Sequence, residues 1–236
     1  MRLIGLKRTG DNAIIQFYGC PLRCQYCTHV KQPKREFEME EVLEFVSDPK
    51  ISEIYVGGAE PTLQRKQLIE LLQRLKRMNK RVILKTSGYD PDFLVETKGL
   101  VKKYVVEIKC PLDDLLCTIQ LTNLPEDRAQ KYLEALKRSL EVLRGENVRI
   151  WIRVVPGYVT KEAVERIGKQ IAGIASEVLL YQFLSNPEND APFAGIEEPS
   201  PSESEIIEMA RVMLEYVPKV IVRGKGFANE FMAERD

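Results

Sequence analysis

Neither sign of charge is in excess in this chain of 236 residues, because 35 lysine and arginine residues match 35 aspartate and glutamate residues. A protein without net charge has no global field that draws it to nucleic acid or to anionic lipid, so we expect no nucleic-acid partner. The sequence has no run of about 18 apolar residues, which excludes a membrane-spanning helix. It begins without the apolar core of a signal peptide, so we expect a cytoplasmic protein with no membrane contact.

Cysteine and histidine are scarce. Five cysteines are an odd number and too few for a disulfide framework, so reduced thiols in the cytoplasm are expected. The single histidine, His29, follows two residues after Cys27. A zinc site with three cysteines and one histidine therefore stays open as an alternative at this point. Long tracts of glycine or serine are absent as well, which excludes low-complexity segments.

Three of the five cysteines lie close together, at Cys20, Cys24 and Cys27, directly after an apolar run. Iron–sulfur clusters normally take four cysteine ligands. Three thiolates at this spacing can ligate three irons of a 4Fe–4S cluster and leave the fourth iron open to a small ligand. The triplet therefore predicts a cluster that takes part in chemistry, beyond storing an electron.

Short β-like runs alternate with amphipathic segments along the whole chain. The predicted strands are residues 13–19, 53–57, 81–86, 103–109, 148–155 and 177–183, with a further apolar run at 219–223. The predicted helices are residues 38–46, 64–79, 91–99, 126–143, 160–173 and 202–216. Six strand–helix units with short connectors predict an α/β fold with a parallel sheet and right-handed crossovers, in one domain over residues 1–236.

The faces of the predicted strands decide between an open doubly wound sheet and a barrel. Side chains along a strand point alternately to its two faces. One face of two predicted strands is apolar and suits an outer layer of helices, whereas the other carries Glu107, Lys109, Arg149 and Arg153. These charged groups are costly to bury unpaired. We therefore predict a partial (βα)6 TIM-like barrel of parallel strands with outer helices and a partly polar, ligand-filled interior.

Distinctive polar residues follow the carboxyl ends of the predicted strands, which is the rim where βα barrels build active sites. The loop 57–62 (GGAEPT) follows the second strand. Its small residues let the backbone approach a ligand closely, and Glu60 can accept hydrogen bonds from an ammonium group. Lys109 and Arg153, near the ends of two later strands, can bind a carboxylate. The rim therefore predicts a site for an amino-acid ligand.

The cysteine triplet, with Tyr26 directly before its last cysteine and the loop 57–62 further on, resembles the radical S-adenosylmethionine (SAM) superfamily. The resemblance implies two cofactors, one 4Fe–4S cluster and SAM, which chelates the open iron through its amino and carboxylate groups. It implies reductive cleavage of SAM to methionine and a 5′-deoxyadenosyl radical, which abstracts hydrogen from a substrate. The protein supplies positioning and excludes water and oxygen.

A narrower resemblance extends over most of the chain. Residues 82–88 (VILKTSG), 104–111 (YVVEIKCP), 153–157 (RVVPG) and 182–183 (QF), followed by 187–189 (PEN), are similar to the activases of glycyl radical enzymes. They match the activating protein of anaerobic ribonucleotide reductase better than pyruvate formate-lyase activase. This resemblance implies an oxidoreductase with two protein partners, a glycyl radical enzyme of the anaerobic ribonucleotide reductase type and an electron donor such as ferredoxin or flavodoxin.

The same resemblance assigns the site residues. Cys20, Cys24 and Cys27 are implied as the catalytic metal ligands. The residues implied in SAM binding are Tyr26, Gly58, Ala59, Glu60, Thr86, Ser87, Lys109, Arg153 and Gln182. Of these, Tyr26 is implied beside the adenine and residues 58–60 at the methionyl amine. Residues 86–87, with the basic groups at 109 and 153, are implied at the ribose or the carboxylate.

Two departures from the family pattern concern the loop and the third strand. Ala59 stands where the family has the second glycine of Gly-Gly-Glu-Pro, and Lys85 stands where the family has an aspartate. In the activases, that aspartate and the acid at the position of Glu107 help to form an alkali-cation site beside SAM. We hypothesise that the Lys85 ammonium replaces the cation and pairs with Glu107. The alternative is that Lys85 points outward.

Three further residues have no assigned chemistry. Cys110 and Cys117 are too few for a second cluster, and we expect them to pack as small buried hydrophobes, with a substrate or regulatory role as the alternative. Trp151 is expected in the barrel interior or in the core. Two other functions also stay open. One is a radical SAM enzyme that modifies a small molecule, nucleoside or peptide, and the other is a non-catalytic metal-binding protein.

Overall fold

The structure, a computed structural model, describes residues 1–24, 26–27, 33–184, 196 and 198–233. His29 and the segment 187–189 lie outside the described residues. Among the helices that are described, none is long and apolar enough to cross a bilayer.

Ten strands form one sheet in the described part of the chain. They are β1 (Arg2–Thr9), β2 (Asn12–Phe17), β3 (Arg35–Glu36), β4 (Glu53–Gly58), β5 (Arg81–Thr86), β6 (Lys103–Ile108), β7 (Val148–Val154), β8 (Glu177–Gln182), β9 (Lys219–Gly224) and β10 (Phe227–Met232). The order across the sheet is β10-β9-β8-β7-β6-β5-β4-β2-β1-β3. Strands β2 and β4 to β9 are parallel, whereas β1, β3 and β10 pair antiparallel at the two ends. Because β3 and β10 do not pair with each other in this sheet, it is an open, partial barrel.

Seven α-helices connect these strands in the described ranges. They are α1 (Met39–Phe45), α2 (Arg65–Arg77), α3 (Pro91–Thr97), α4 (Leu115–Thr122), α5 (Glu126–Val142), α6 (Lys161–Ile171) and α7 (Glu203–Met213). Side-chain caps set several of the starts: Asp90 accepts from the Phe93 N–H, and Ser202 accepts from the Glu205 N–H. Helix α2, for example, buries an apolar stripe made of leucines at 68, 71, 72 and 75.

The predicted α/β barrel with six strand–helix units is confirmed, and each predicted strand overlaps one of β2 and β4 to β9. The elements that were not predicted are β1, β3, α4 and β10. Strands β1 and β2 form a hairpin in which Thr9 pairs with Asn12, so the turn has two residues. Gly10 adopts a φ of 58° in that turn, a conformation that favours glycine. A glycine turn between two apolar runs is the signal that predicts this hairpin.

The strand faces also follow the prediction. In β7, the side chains at 148, 150, 152 and 154 are buried in the core. Arg149, Trp151 and Arg153 alternate with them and line cavities on the concave face. Trp151 therefore lies in the barrel interior. The concave face holds the charged residues that the sequence analysis placed there.

Cys110 and Cys117 are buried as expected, but the expectation of reduced thiols is wrong for this pair, because the two residues form a disulfide. Cys110 lies two residues after the end of β6, and Cys117 lies in the first turn of α4. The short connection folds the helix start back onto the strand end, so that the two Cα atoms lie 6.1 Å apart, within the usual range for a disulfide. The three cysteines of the triplet are free.

Candidate active site

A cavity of about 230 Å³ opens at the carboxyl ends of β2 and β4 to β7. Its lining residues are Cys20, Leu22, Cys24, Tyr26, Cys27, Gly58, Ala59, Lys85, Thr86, Ser87, Glu107, Lys109 and Arg153. The structure thus brings together all three cysteines of the triplet and every residue expected to contact SAM except Glu60 and Gln182.

The cysteine segment is held against the cavity by its own backbone. It leaves β2 at Gly19, where a φ of 98° favours glycine and turns the chain over the strand end. The Glu60 N–H donates to the Gly19 carbonyl (2.8 Å), which ties this segment to the loop after β4. The Cys27 N–H donates to the Cys24 carbonyl (3.0 Å), which closes a turn between the last two cysteines. These bonds place three thiols on one wall of the cavity.

The three thiols of the triplet share one cavity. Among the residues that the structure describes, no three histidine, cysteine, aspartate or glutamate side chains are grouped so that they could hold one metal ion. The three cysteines nevertheless line the same cavity. In a 4Fe–4S cluster the thiolates ligate different irons, so their sulfurs surround a cluster and do not converge on one atom. Three thiols around one cavity are therefore available as the three cysteine ligands of such a cluster.

The electrostatics of the thiols show why they need a bound cation to act as ligands. Burial raises the pKa of Cys20 to about 12, with a further contribution from the Glu60 carboxylate. Burial likewise raises the pKa of Cys24 to about 12, although the nearby Lys109 ammonium acts to lower it. Metal binding requires thiolates, so positively charged iron is needed to stabilise the deprotonated form in this buried site. The residues present therefore fit an iron–sulfur cluster.

The loop after β4 presents backbone to the cavity. Gly58 has a φ of 97°, and a Cβ built on it lies 2.7 Å from the Phe17 carbonyl oxygen. Only glycine fits this position without a shift of the backbone. Ala59 is half-buried and lines the cavity, while its N–H donates to the Phe17 carbonyl (3.1 Å). The extra methyl group at position 59 is therefore accommodated, and close approach of a ligand to this backbone is preserved.

Glu60, expected at the methionyl amine, does not line the cavity in this structure. Its side chain has no exposed surface, and its carboxylate accepts hydrogen bonds from the hydroxyls of Thr62, Thr86 and Ser87. The N–H groups of Thr62 and Ser87 donate to it as well, at 3.3 and 2.6 Å. The physical reason is that Glu60 caps the 3₁₀ helix Pro61–Gln64 and faces the end of β5. Glu60 therefore positions the residues at 86 and 87.

Lys85, Lys109, Arg153 and Glu107 make up the charged lining of the cavity. The Glu107 carboxylate lies 3.1 Å from the Lys85 ammonium and 3.4 Å from the Lys109 ammonium. The Lys85 ammonium also lies 3.7 Å from the ring centroid of Trp151. Lys85 thus points inward and pairs with Glu107, as hypothesised, and the outward alternative is wrong.

The pKa directions describe how these charges balance. Burial would raise the pKa of Glu107, but Lys109, Lys85 and Arg153 together hold it well below its ordinary value. Burial lowers the pKa of Lys85, against the opposing effect of Glu107. At Lys109, Glu107 outweighs burial and raises the pKa. Three cations then surround one carboxylate, which leaves positive charge available to an anionic ligand group.

Tyr26 and Arg153 form the aromatic side of the cavity. The Tyr26 ring is buried and packs edge-to-face with Phe183, with ring centroids 6.2 Å apart. The Arg153 guanidinium carbon lies 5.7 Å from the Tyr26 centroid and 5.2 Å from that of Tyr181. Arg153 Nε has no hydrogen-bond partner among the residues described. A guanidinium stacked on rings with an unused donor is suited to bind a ligand oxygen.

Gln182, expected to contact SAM, also lies outside the cavity in this structure. In the register of β7 and β8 it pairs with Val154, whereas Arg153 pairs with Tyr181. Alternation therefore turns Gln182 to the face opposite Arg153. Its Nε2 donates to the Pro201 carbonyl (2.9 Å), and its Oε1 accepts from the Lys225 N–H (2.7 Å). The amide joins the β9–β10 turn to the segment before α7.

Two residues that complete the site were not assigned from the sequence. Thr62 donates its hydroxyl to Glu60 (2.8 Å), and Tyr132 on α5 donates its hydroxyl to the Ser87 carbonyl (3.1 Å). The position of Thr62, two residues after an acid at a helix start, is a capping pattern that could have identified it. Tyr132 is 45 residues from Ser87, and no local pattern reports that contact.

Comparisons with known proteins identify the family. A sequence profile described as the radical SAM superfamily matches residues 14–171. A Methanocaldococcus jannaschii protein, provisionally named as a glycyl-radical enzyme activating enzyme, is 26% identical over 219 residues, which cover 90% of this chain and 88% of that protein. A 7-carboxy-7-deazaguanine synthase of the same organism is 24% identical over 228 residues, which cover 86% of this chain and 84% of that protein.

Among solved structures, a radical SAM methyltransferase from Sphaerobacter thermophilus has the same fold, with a TM-score of 0.66 and 19% identity. The superposition covers 94% of this chain and 69% of that one. The cofactors of the matched family are a 4Fe–4S cluster and SAM, which agrees with the cavity described above. Because the profile matches residues 14–171, which is more than half of the chain, the chain belongs to the radical SAM superfamily.

Proposed function

We propose that this radical SAM enzyme activates a glycyl radical enzyme of the anaerobic ribonucleotide reductase type, by abstracting a hydrogen atom from one glycine of that protein. The observation that carries the proposal is that a single cavity contains the three free cysteines, the exposed backbone at 58–59 and the cations Lys109 and Arg153. The match to the M. jannaschii activating enzyme supports the glycyl-radical part, because it extends over 90% of this chain.

In this proposal the residues of the chain bind, orient and shield. Cys20, Cys24 and Cys27 ligate three irons and leave the fourth open. When bound, the cluster and SAM supply one-electron cleavage of the sulfonium to methionine and a 5′-deoxyadenosyl radical. The buried side chains of Leu22, Cys24 and Tyr26 keep bulk water away from that reaction.

The remaining lining residues orient the SAM molecule. The backbone at Gly58–Ala59 approaches the methionyl amine, and Lys109 and Arg153 offer positive charge to the carboxylate. Tyr26 lies beside the adenine. Thr86 and Ser87 contact the ribose or carboxylate from positions fixed by hydrogen bonds to Glu60.

The reaction consumes one electron for each SAM, so it needs an external donor. We propose a ferredoxin or flavodoxin for this role and the cytoplasm as the compartment, since both the cluster and the product radical require reducing, oxygen-poor conditions.

A second candidate is a radical SAM enzyme that modifies a small molecule, nucleoside or peptide. The specific observation in its favour is the match to a 7-carboxy-7-deazaguanine synthase over 86% of this chain. Lys85 supports it too, because it departs from the acid that the activases carry at this position.

The experiment is an anaerobic activation assay. Reconstituted protein, SAM and dithionite are mixed with an anaerobic ribonucleotide reductase, and electron paramagnetic resonance is recorded. We expect a stable glycyl radical doublet, and none with Cys24→Ala. SAM cleavage without a doublet would favour the small-molecule candidate. One zinc per chain, in place of several irons with equal sulfide, would instead favour a non-catalytic metal-binding protein.

A further inference from the structure

A second cavity, of about 350 Å³, lies on the same concave face but toward the amino-terminal ends of the strands. Three aromatic rings, those of Tyr55, Trp151 and Tyr181, contribute to its lining. Residues from the β1–β2 hairpin and from β9 line it as well, so strands near both ends of the open sheet meet around this one space. None of the residues assigned to SAM or to the cluster belongs to it.

The two cavities share a wall in which two cationic side chains each lie against an aromatic ring. The Lys85 ammonium, which lines the SAM cavity, lies 3.7 Å from the centroid of Trp151, which lines the lower cavity. In the same way, the Arg153 guanidinium of the upper cavity lies 5.2 Å from the centroid of Tyr181 below it. From Arg149 to Arg153 the strand advances about 13 Å. A ligand in the lower cavity is therefore one side-chain layer away from SAM.

Two polar atoms in the lower cavity lack partners. Trp151 Nε1 and the Tyr55 hydroxyl are buried and make no hydrogen bond within the described part of the protein. Other buried tyrosines do have partners, as the Tyr104 hydroxyl does with Thr97 Oγ1 at 3.1 Å. Buried polar groups are normally satisfied, and an unsatisfied pair in one cavity calls for an external partner. Trp151 can only donate, so that partner must carry acceptor oxygens.

The charges of the cavity narrow the class of ligand. Arg149 is already paired with Glu177, with Nε 2.7 Å from the carboxylate. The guanidinium of Arg223 has no ion pair with another described residue and stands exposed at the edge of the space. Aromatic walls and spaced donors suit a flat, uncharged chain of carbonyl groups. An extended peptide has this chemistry, with a carbonyl oxygen at each residue.

We propose that the lower cavity binds an extended peptide segment of the protein substrate that flanks the reacting glycine, while the glycine itself enters the SAM cavity above. Trp151 Nε1–H and the Tyr55 hydroxyl donate to backbone carbonyls of that segment. This inference rests on the proposed activation of a glycyl radical enzyme and adds to it the residues that recognise the substrate.

Conservative variants separate recognition from folding. Tyr55→Phe removes only the unpartnered hydroxyl, so it should not lower the thermal unfolding temperature. Trp151→Phe removes the donor together with part of the ring that contacts Lys85, so its unfolding temperature and SAM affinity are measured alongside. Each should raise the reductase concentration for half-maximal glycyl radical formation at least about threefold, as the loss of one hydrogen bond predicts. The matched control Tyr104→Phe removes a hydroxyl that has a partner, so it should lower the unfolding temperature and leave that concentration unchanged. Unchanged half-maximal concentrations in both donor variants would overturn the inference.

Trp151 also provides a direct probe, because it is the only tryptophan in the chain. Protein labelled with 5-fluorotryptophan gives one fluorine NMR signal. We expect this signal of the holoenzyme with SAM to shift when reductase, or a mixed library of glycine-containing peptides, is added. Radical formation without a shift would overturn the lower cavity and leave the proposed function standing. A shift without a radical would overturn the proposed function and leave peptide binding in the lower cavity standing. Neither a shift nor a radical would overturn both.

Discussion

The Lys85 ammonium lies 3.1 Å from the Glu107 carboxylate, which joins neighbouring strands β5 and β6 inside the open barrel. Its other contact is the face of the Trp151 ring, at 3.7 Å from the centroid. A fixed protein cation thus occupies the side of the cavity where, by resemblance to the activases, an alkali cation is expected.

This relationship predicts that the enzyme needs no potassium. Replacing potassium with a large organic cation should change the rate of SAM cleavage by less than about twofold, or about 0.4 kcal/mol. Lys85→Asp restores an acid at this position, and the rate of that variant should become stimulated by potassium. A strong potassium response of the unmodified protein would contradict the account of Lys85.

Glu107 should make stability depend on pH. Its pKa is lowered in the folded protein, so its contribution to the free energy of unfolding is present above the ordinary pKa of about 4.3 and is lost as pH falls toward the folded value. Glu107→Gln should cost about 3 kcal/mol at pH 7, because it leaves buried cations unpaired. Urea denaturation of metal-free protein should show this difference shrinking below about pH 4.

The control for that series is Glu230→Gln, which breaks an exposed ion pair with Lys219. It should change the free energy of unfolding by less than about 1 kcal/mol at any pH. A Glu107→Gln difference that stays constant down to pH 3 would contradict the assigned charge state.

Glu60→Ala should weaken SAM binding through the loop it organises. The change removes the acceptor for the side-chain and backbone donors of Thr62 and Ser87 and for the Thr86 hydroxyl. Unsatisfied buried donors cost about 1–3 kcal/mol each, so the unfolding free energy should fall by at least that amount. The brown colour of the cluster should remain. Thr62→Val is the milder control, and Glu60→Ala with unaltered stability and SAM affinity would argue against this role.

Lys109→Met should act on SAM more than on folding. Loss of a charged donor predicts a rise in the KM for SAM of about tenfold, or about 1.4 kcal/mol. Lys103→Met is a matched control on β6, the strand that Lys109 follows, since Lys103 pairs with Glu177 (2.6 Å) and does not line the cavity. Equal effects of the two variants on KM would show that the charge at 109 has no specific role.

Variants of Cys24 and Cys117 should separate cluster assembly from the stability of the fold. Cys24→Ala should prevent stable cluster assembly and abolish SAM cleavage. Cys117→Ser breaks the disulfide to Cys110, which closes a loop of seven positions, so it should lower the unfolding free energy by about 2.5 kcal/mol while iron and sulfide content stay unchanged. Loss of iron in Cys117→Ser would mean that the triplet is not the whole ligand set.

The parallel strands were predictable because their pattern is local. Alternation in β7 separates a buried row from Arg149, Trp151 and Arg153, and the same alternation places Glu107 and Lys109 on the concave face. Helix α4 was not predictable in this way, because apolar residues and threonines surround its axis without a clear stripe (LLCTIQLT).

Most residues that line the cavity were predictable from the sequence, but the contacts of their neighbours were less so. Glu60 was assigned to a ligand because an acid in a glycine-rich loop suits an ammonium group, but the same carboxylate also suits a helix cap, and the fold uses it for the cap. Which neighbours a carboxylate meets depends on β5 docking against β4, a contact that no local pattern encodes. The orientation of Gln182, in contrast, was predictable from the sequence, since strand alternation alone turns it away from Arg153.

Electron paramagnetic resonance of the reduced cluster, recorded with and without SAM, is the most direct test of an iron left open by three cysteines. The account predicts a 4Fe–4S signal in air-free protein that changes on addition of SAM, because SAM binds the iron that no cysteine ligates. Protein that is colourless and free of sulfide, or a cluster signal that SAM leaves unchanged, would contradict it.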